Sequence, residues 1–127
     1  MAGIRLDGAG QAKLKTLEDA EVILQRIHGL VEQYALAVKR KSPGSAYLMS
    51  LKRQLPSLGG LLKGQFGMIA DQVLAMNLQL GRGSNEGTRI RQAREGVGQL
   101  TVALELATKG VIEKHKVEDE KPSRPAG

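Results

Sequence analysis

The apolar residues of this chain fall into stripes at helical spacing. Leu17, Ala20, Leu24, Ile27, Val31, Tyr34 and Val38 recur at alternating intervals of three and four, which keeps them on one face of an α-helix. Ile23 and Leu30 widen that stripe beyond the seam of a two-stranded coiled coil, so a bundle of three or more helices is expected. Ile90, Ala93, Val97, Leu100, Leu104, Ala107 and Val111 repeat the same beat and predict a long helix over 84–116. Between them, Leu48, Leu51, Leu55, Leu58 and Leu62 hold a seam that resumes after one extra residue at Phe66, Ile69, Val73, Met76 and Leu80. The pattern predicts an all-α fold, an antiparallel bundle of three long helices.

Local signals set the expected boundaries. Thr16 precedes Glu18 and Asp19, a capping hydroxyl followed by first-turn acids that complement the helix dipole. Lys39, Arg40 and Lys41 lie at the negative end of that helix, and Ser42-Pro43-Gly44 stops it. The turn from Gly81 to Gly87 opens the last helix, with Ser84 or Asn85 as its N-cap. Pro56 removes a backbone donor and predicts a kink or split of the second helix near Leu55, giving a four-helix-bundle-like arrangement. Gly59, Gly60, Gly64 and Gly67 follow, each costing about 1 kcal/mol of helix propensity relative to alanine. A close approach by another helix would compensate; a hinge or a subunit contact are the alternatives. Residues 1–15 read as a flexible arm, 16–116 as the bundle and 117–127 as a polar, proline-bearing disordered tail.

Composition narrows the picture. Tyr34, Tyr47 and Phe66 are the only aromatic residues among 127, so the core is aliphatic, as suits a helical bundle. The absence of cysteine excludes disulfides and thiolate metal sites and points to an intracellular setting. No apolar run reaches the roughly 20 residues of a membrane span, and the first residues lack the apolar core of a secretory signal. A soluble, cytoplasmic protein without a membrane partner is expected.

Charge adds a functional lead. The net charge of +6 is unevenly spread: between Lys39 and Arg94 ten basic residues face two acidic ones, an excess of eight, and the rest of the chain is slightly acidic. Such a concentration suits a polyanionic partner, RNA or DNA. The candidate nucleic-acid-binding residues are Lys39, Arg40, Lys41, Lys52, Arg53, Arg82, Arg89, Arg91 and Arg94. Arg91 and Arg94 share a face near the start of the last helix, where a cation opposes the dipole at about 0.3–1 kcal/mol. A phosphate contact would explain that placement. Scarce aromatics argue against base stacking, so backbone contacts that weaken with salt are expected. In an antiparallel hairpin, Lys39–Lys41 with Lys52 and Arg53 would lie at one end. Arg82, Arg89, Arg91 and Arg94 would lie at the other, about 30 Å or more away. Ring assembly would turn each group into a basic rim.

Catalytic patterns are missing. His28 and His115 do not form the Glu-x-x-His pair of bundle metal enzymes, and no nucleophile with an adjacent base is apparent. The Gly81–Gly87 turn lacks the Gly-Lys-Ser/Thr signature and follows a helix rather than a strand. A non-catalytic protein without metal or cofactor is expected.

The run from Leu80 to Ala107 resembles the middle of the four-helix-bundle proteins encoded in ribosomal-RNA intervening sequences. It is also similar to the related accessory variability determinant (Avd) family of diversity-generating retroelements. The likeness rests on a Gly/Ser turn followed by a helix with Ala93, Val97, Leu100 and Leu104, and on the basic, proline-bearing stretch Lys39–Pro43. It implies a small basic homo-oligomer, a pentamer in Avd, that binds a reverse transcriptase and nucleic acid. Arg89, Arg91 and Arg94 would then belong to its basic surface. A helical adaptor or structural subunit, with no nucleic-acid role, is the alternative.

Overall fold

A computed structural model of the chain describes residues 5–82 and 85–117. Four helices make up the fold: α1 (Gly8–Lys39), α2 (Ser45–Leu62), α3 (Gly67–Arg82) and α4 (Glu86–His115). Each packs against its neighbours in chain order, and α4 returns to α1, so the helices form an up-down-up-down square. Two short strands, β1 (Arg5–Leu6) and β2 (Lys116–Val117), pair antiparallel. They close the end where α1 begins and α4 finishes, here called the lower end. The upper end holds the α1–α2 and α3–α4 turns.

The core follows the predicted stripes, with Val38, Leu48, Phe66, Ile69 and Ala107 of the expected seams only half-buried. Leu17, Ala20, Leu24, Ile27, Val31 and Tyr34 of α1 and Ile90, Ala93, Val97, Leu100, Leu104 and Val111 of α4 are all buried. Leu51, Leu55, Leu58 and Leu62 of α2 meet Ala70, Val73, Met76 and Leu80 of α3 across the same space. No polar or charged residue is buried among the described residues, so the stripes fold by apolar burial, each Leu or Ile contributing about 1.5–3 kcal/mol.

Two expectations are corrected. The second helical region is two helices, and the break falls at residues 63–66 rather than near Leu55. Pro56 sits in the interior of α2 at an exposed position, where water can satisfy the carbonyl that its missing N–H leaves free. The reversal instead uses Lys63-Gly64-Gln65-Phe66, with the Phe66 N–H donating to the Leu62 carbonyl at 2.7 Å. Its half-buried ring packs against the lower core.

The other correction concerns the start of α1. Residues 8–15, expected in a flexible arm, are helical. Asp7 is the N-cap, its carboxylate accepting the Gly10 N–H at 2.7 Å, and Thr16 lies inside the helix with its hydroxyl on Gln65 Oε1 at 2.8 Å. Contacts between elements therefore extend the helix through a glycine-containing segment of poor propensity. Of the expected tail, Val117 is in β2 and the remainder lies outside the described residues, as do residues 1–4.

No helix is long and apolar enough to cross a membrane among the described residues.

Candidate nucleic-acid interface

The extra reversal at residues 63–66 changes where the basic residues meet. With two hairpins instead of one long second helix, the α1 C-terminus, the α2 N-terminus, the α3 C-terminus and the α4 N-terminus share the upper end. The two basic groups expected on opposite ends are thus brought to the same end. Lys39, Arg40 and Lys41 stand at the α1–α2 turn, and Arg82 at the end of α3. Lys52 and Arg53 lie about 10 Å down α2, while Arg89, Arg91 and Arg94 occupy the first turns of α4.

A polar network under this end fixes it. Tyr34 is 1% exposed and the largest fully buried side chain. Its hydroxyl accepts from Arg89 Nη1 at 3.0 Å and donates to Glu86 Oε2 at 3.5 Å. Arg89 Nε also donates to the Leu80 carbonyl at 3.1 Å, satisfying one of the orphan acceptors at the end of α3. The Tyr34 ring lies beneath Gly44, where an added Cβ would stand 2.8 Å from its Cδ1 and Cε1. Tyr34 therefore joins α1, the α1–α2 turn and α4, and through Arg89 the end of α3.

The predicted arginines divide by role. Arg89 is half-buried and holds the helix ends together. Arg94 makes a two-pronged pair with Glu32, Nε to Oε2 at 2.9 Å and Nη2 to Oε1 at 2.8 Å, an arrangement with strong directional preference. That bond holds the Glu32 carboxyl below its usual pKa, with the charge of Arg94 adding to it, and raises the Arg94 guanidinium in turn. Arg91 is exposed, and among the described residues it forms no ion pair; the same holds for Lys39, Arg40, Lys41, Lys52, Arg53 and Arg82. These seven, rather than Arg89 and Arg94, constitute the open cationic surface. Sequence spacing gave no sign of the division, although a tyrosine on an apolar seam signals that its hydroxyl needs a buried partner.

Lys41 carries a further peculiarity. It is the only non-glycine residue with positive φ among the described residues, at 58°. Its N–H donates to the Val38 carbonyl at 3.0 Å and the Ser42 N–H to the Ala37 carbonyl at 2.8 Å, closing α1 by a Schellman motif in which glycine is the favoured residue at this position. A lysine there costs roughly 1–2 kcal/mol of backbone strain, and what it places at the rim is a charge.

Around residues 32–53 and 82–95 nine basic residues face three acidic ones, an excess of six. No group of three His, Asp or Glu side chains suited to a metal gathers among the described residues. Fold and surface together define a small four-helix bundle with one cationic end. No protein-family model, no curated protein and no solved structure matches the chain.

Proposed function

We propose that this protein is a non-catalytic helical bundle that grips the phosphate backbone of a nucleic acid through its upper end. The observation that carries the reading is the gathering of seven open cations at and just below the upper end of the bundle, one of them, Lys41, held in a strained backbone conformation. Of the two tyrosines at this end Tyr34 is buried, leaving Tyr47, half-buried beside Arg40, as the single aromatic near the surface of this end among the described residues, which favours charge contacts over base stacking.

Filter binding of RNA and of DNA between 50 and 200 mM salt tests this. Each phosphate contact contributes roughly 0.7–0.9 to the slope of log affinity against log salt. Lys41→Glu with Arg91→Glu is expected to weaken retention at least tenfold and to flatten the slope. Unchanged retention in this variant, with its helix content intact, removes the proposal. The Avd-like character of Leu80–Ala107 extends the reading to a protein partner, a reverse transcriptase, and to a homo-oligomer such as a pentamer. Sedimentation of the purified chain and co-purification with such an enzyme test those two extensions.

A further inference from the structure

We infer that the outer face of the α2/α3 hairpin docks an amphipathic helix with acidic flanks, supplied by a partner protein. This face runs along α2 and α3 below the α1–α2 turn and shares only Lys52 with the cationic surface described above; its apolar groove does not depend on the nucleic-acid reading.

The hairpin exposes Met49, Met68, Leu74 and Leu78, at 61%, 85%, 51% and 58%. A groove of about 280 Å³ runs between the two helices, lined by Pro56, Gly60, Lys63, Gly67, Asp71 and Leu74. Pro56, Gly60 and Lys63 line it from the α2 side, and Lys52, one turn further along, falls on the same stripe; Gly67 and Leu74 line it from α3, with Leu78 one turn beyond on that stripe. Gly60 lies inside α2, yet an added Cβ would meet nothing within 4 Å. Internal packing therefore does not require a glycine that costs about 1 kcal/mol of helix propensity. What it does is leave the groove open to an approaching backbone. A groove between two antiparallel helices accepts a third helix through anchors at i, i+3 or i+4, and i+7.

Charge identifies the occupant. Across residues 45–82 the charged side chains are Lys52, Arg53, Lys63, Asp71 and Arg82, four cations against one acid. Lys52 and Lys63 stand 11 residues apart on one wall, about 16 Å along the helix. Acidic residues three turns apart on a docked helix would meet both. A second copy of this chain is disfavoured, because a two-fold pairing sets each patch against itself and would confront four cations with four.

A labelled peptide of about 18 residues, five helical turns, provides the probe: a leucine stripe flanked by glutamates, with a lysine-flanked counterpart. Fluorescence anisotropy against the full chain is expected to show binding of the glutamate peptide. Affinity should fall at least tenfold with the lysine flanks, with Leu74→Glu, and with Lys52→Glu plus Lys63→Glu. The substituted side chains are exposed, and circular dichroism verifies that the variants fold. Nucleic-acid retention is expected to be unaffected by Leu74→Glu. Four results overturn the inference: no binding, equal binding of both peptides, binding that survives Leu74→Glu, or a dimer of the chain that Leu74→Glu dissociates. The last makes a second copy the occupant.

Discussion

The lower end of the bundle, counted over residues 5–19, 63–71 and 105–117, carries seven basic and six acidic residues; the upper end carries nine and three. Both ends tie α1 to α4 by polar contacts. Below, the Asp7 carboxylate caps α1 and lies 3.1 Å from His115 Nδ1, while Lys15 pairs with Asp19 and Lys116 with Glu113. Above, Tyr34, Arg89 and the Glu32–Arg94 pair perform the same service, yet among the described residues seven further cations there form no ion pair, against Lys13, Lys63, Lys109 and Lys114 below. The contrast separates charge that serves the fold from charge that does not. Structural ties need only a few residues, so the surplus at one end is directed outward.

The largest test of that division is Tyr34→Ala. Removing a fully buried aromatic side chain costs about 3–5 kcal/mol, and this one also supports Arg89. Chemical denaturation should show a loss of that size, and nucleic-acid retention should fall with it because the four helix ends lose their common anchor. Gly10→Ala probes the lower end: its Cβ would lie 2.4 Å from that of His115. Overpacking of this kind costs about 1–3 kcal/mol, and the clasp should loosen with retention unchanged. If retention falls equally in both variants, the two ends are not functionally distinct.

Lys41→Gly should separate stability from binding in one residue. Relief of positive φ is expected to raise stability by about 1 kcal/mol, while loss of the charge weakens retention and lowers the salt slope by about one contact. The smallest effect is that of acid. Asp7 is held below its usual pKa first by the bond from the Gly10 N–H, then by His115, and Glu32 by Arg94. Both carboxyls bind protons more weakly in the folded chain than in the unfolded one, so their contribution is present at neutral pH. It is lost as pH falls through and below the ordinary carboxylate range, about pH 4. Both groups are largely exposed, so the change in melting temperature should be slight and smaller still in Glu32→Gln.

Much of the core was legible in the sequence because burial on a helix obeys its period: the α1 and α4 stripes predicted every buried position except those nearest the helix ends, where Ala37 is buried and Val38 only half so. The turn at residues 63–66 was less legible. Pro56 looked like the stronger breaker, but a proline on a solvent face is tolerable, and the chain reverses instead at Lys63–Phe66, after the buried Leu62. That single misplacement sent the two basic groups to opposite ends. The early start of α1 was hidden because its stability comes from His115, 108 residues away, a contact that local propensity cannot register. Arg89 and Arg94 read as surface charge for the same reason: Tyr34, Leu80 and Glu32 are distant in sequence.

The pairing of Arg5 with Val117 fixes how the molecule can be handled. A linker or solid support attached through either of these neighbouring strands stands a full helix length, about 45 Å for the 30 residues of α4, from the cationic turns. Joining the two strands covalently and reopening the chain between α2 and α3 would yield a permuted protein whose positive rim is undisturbed.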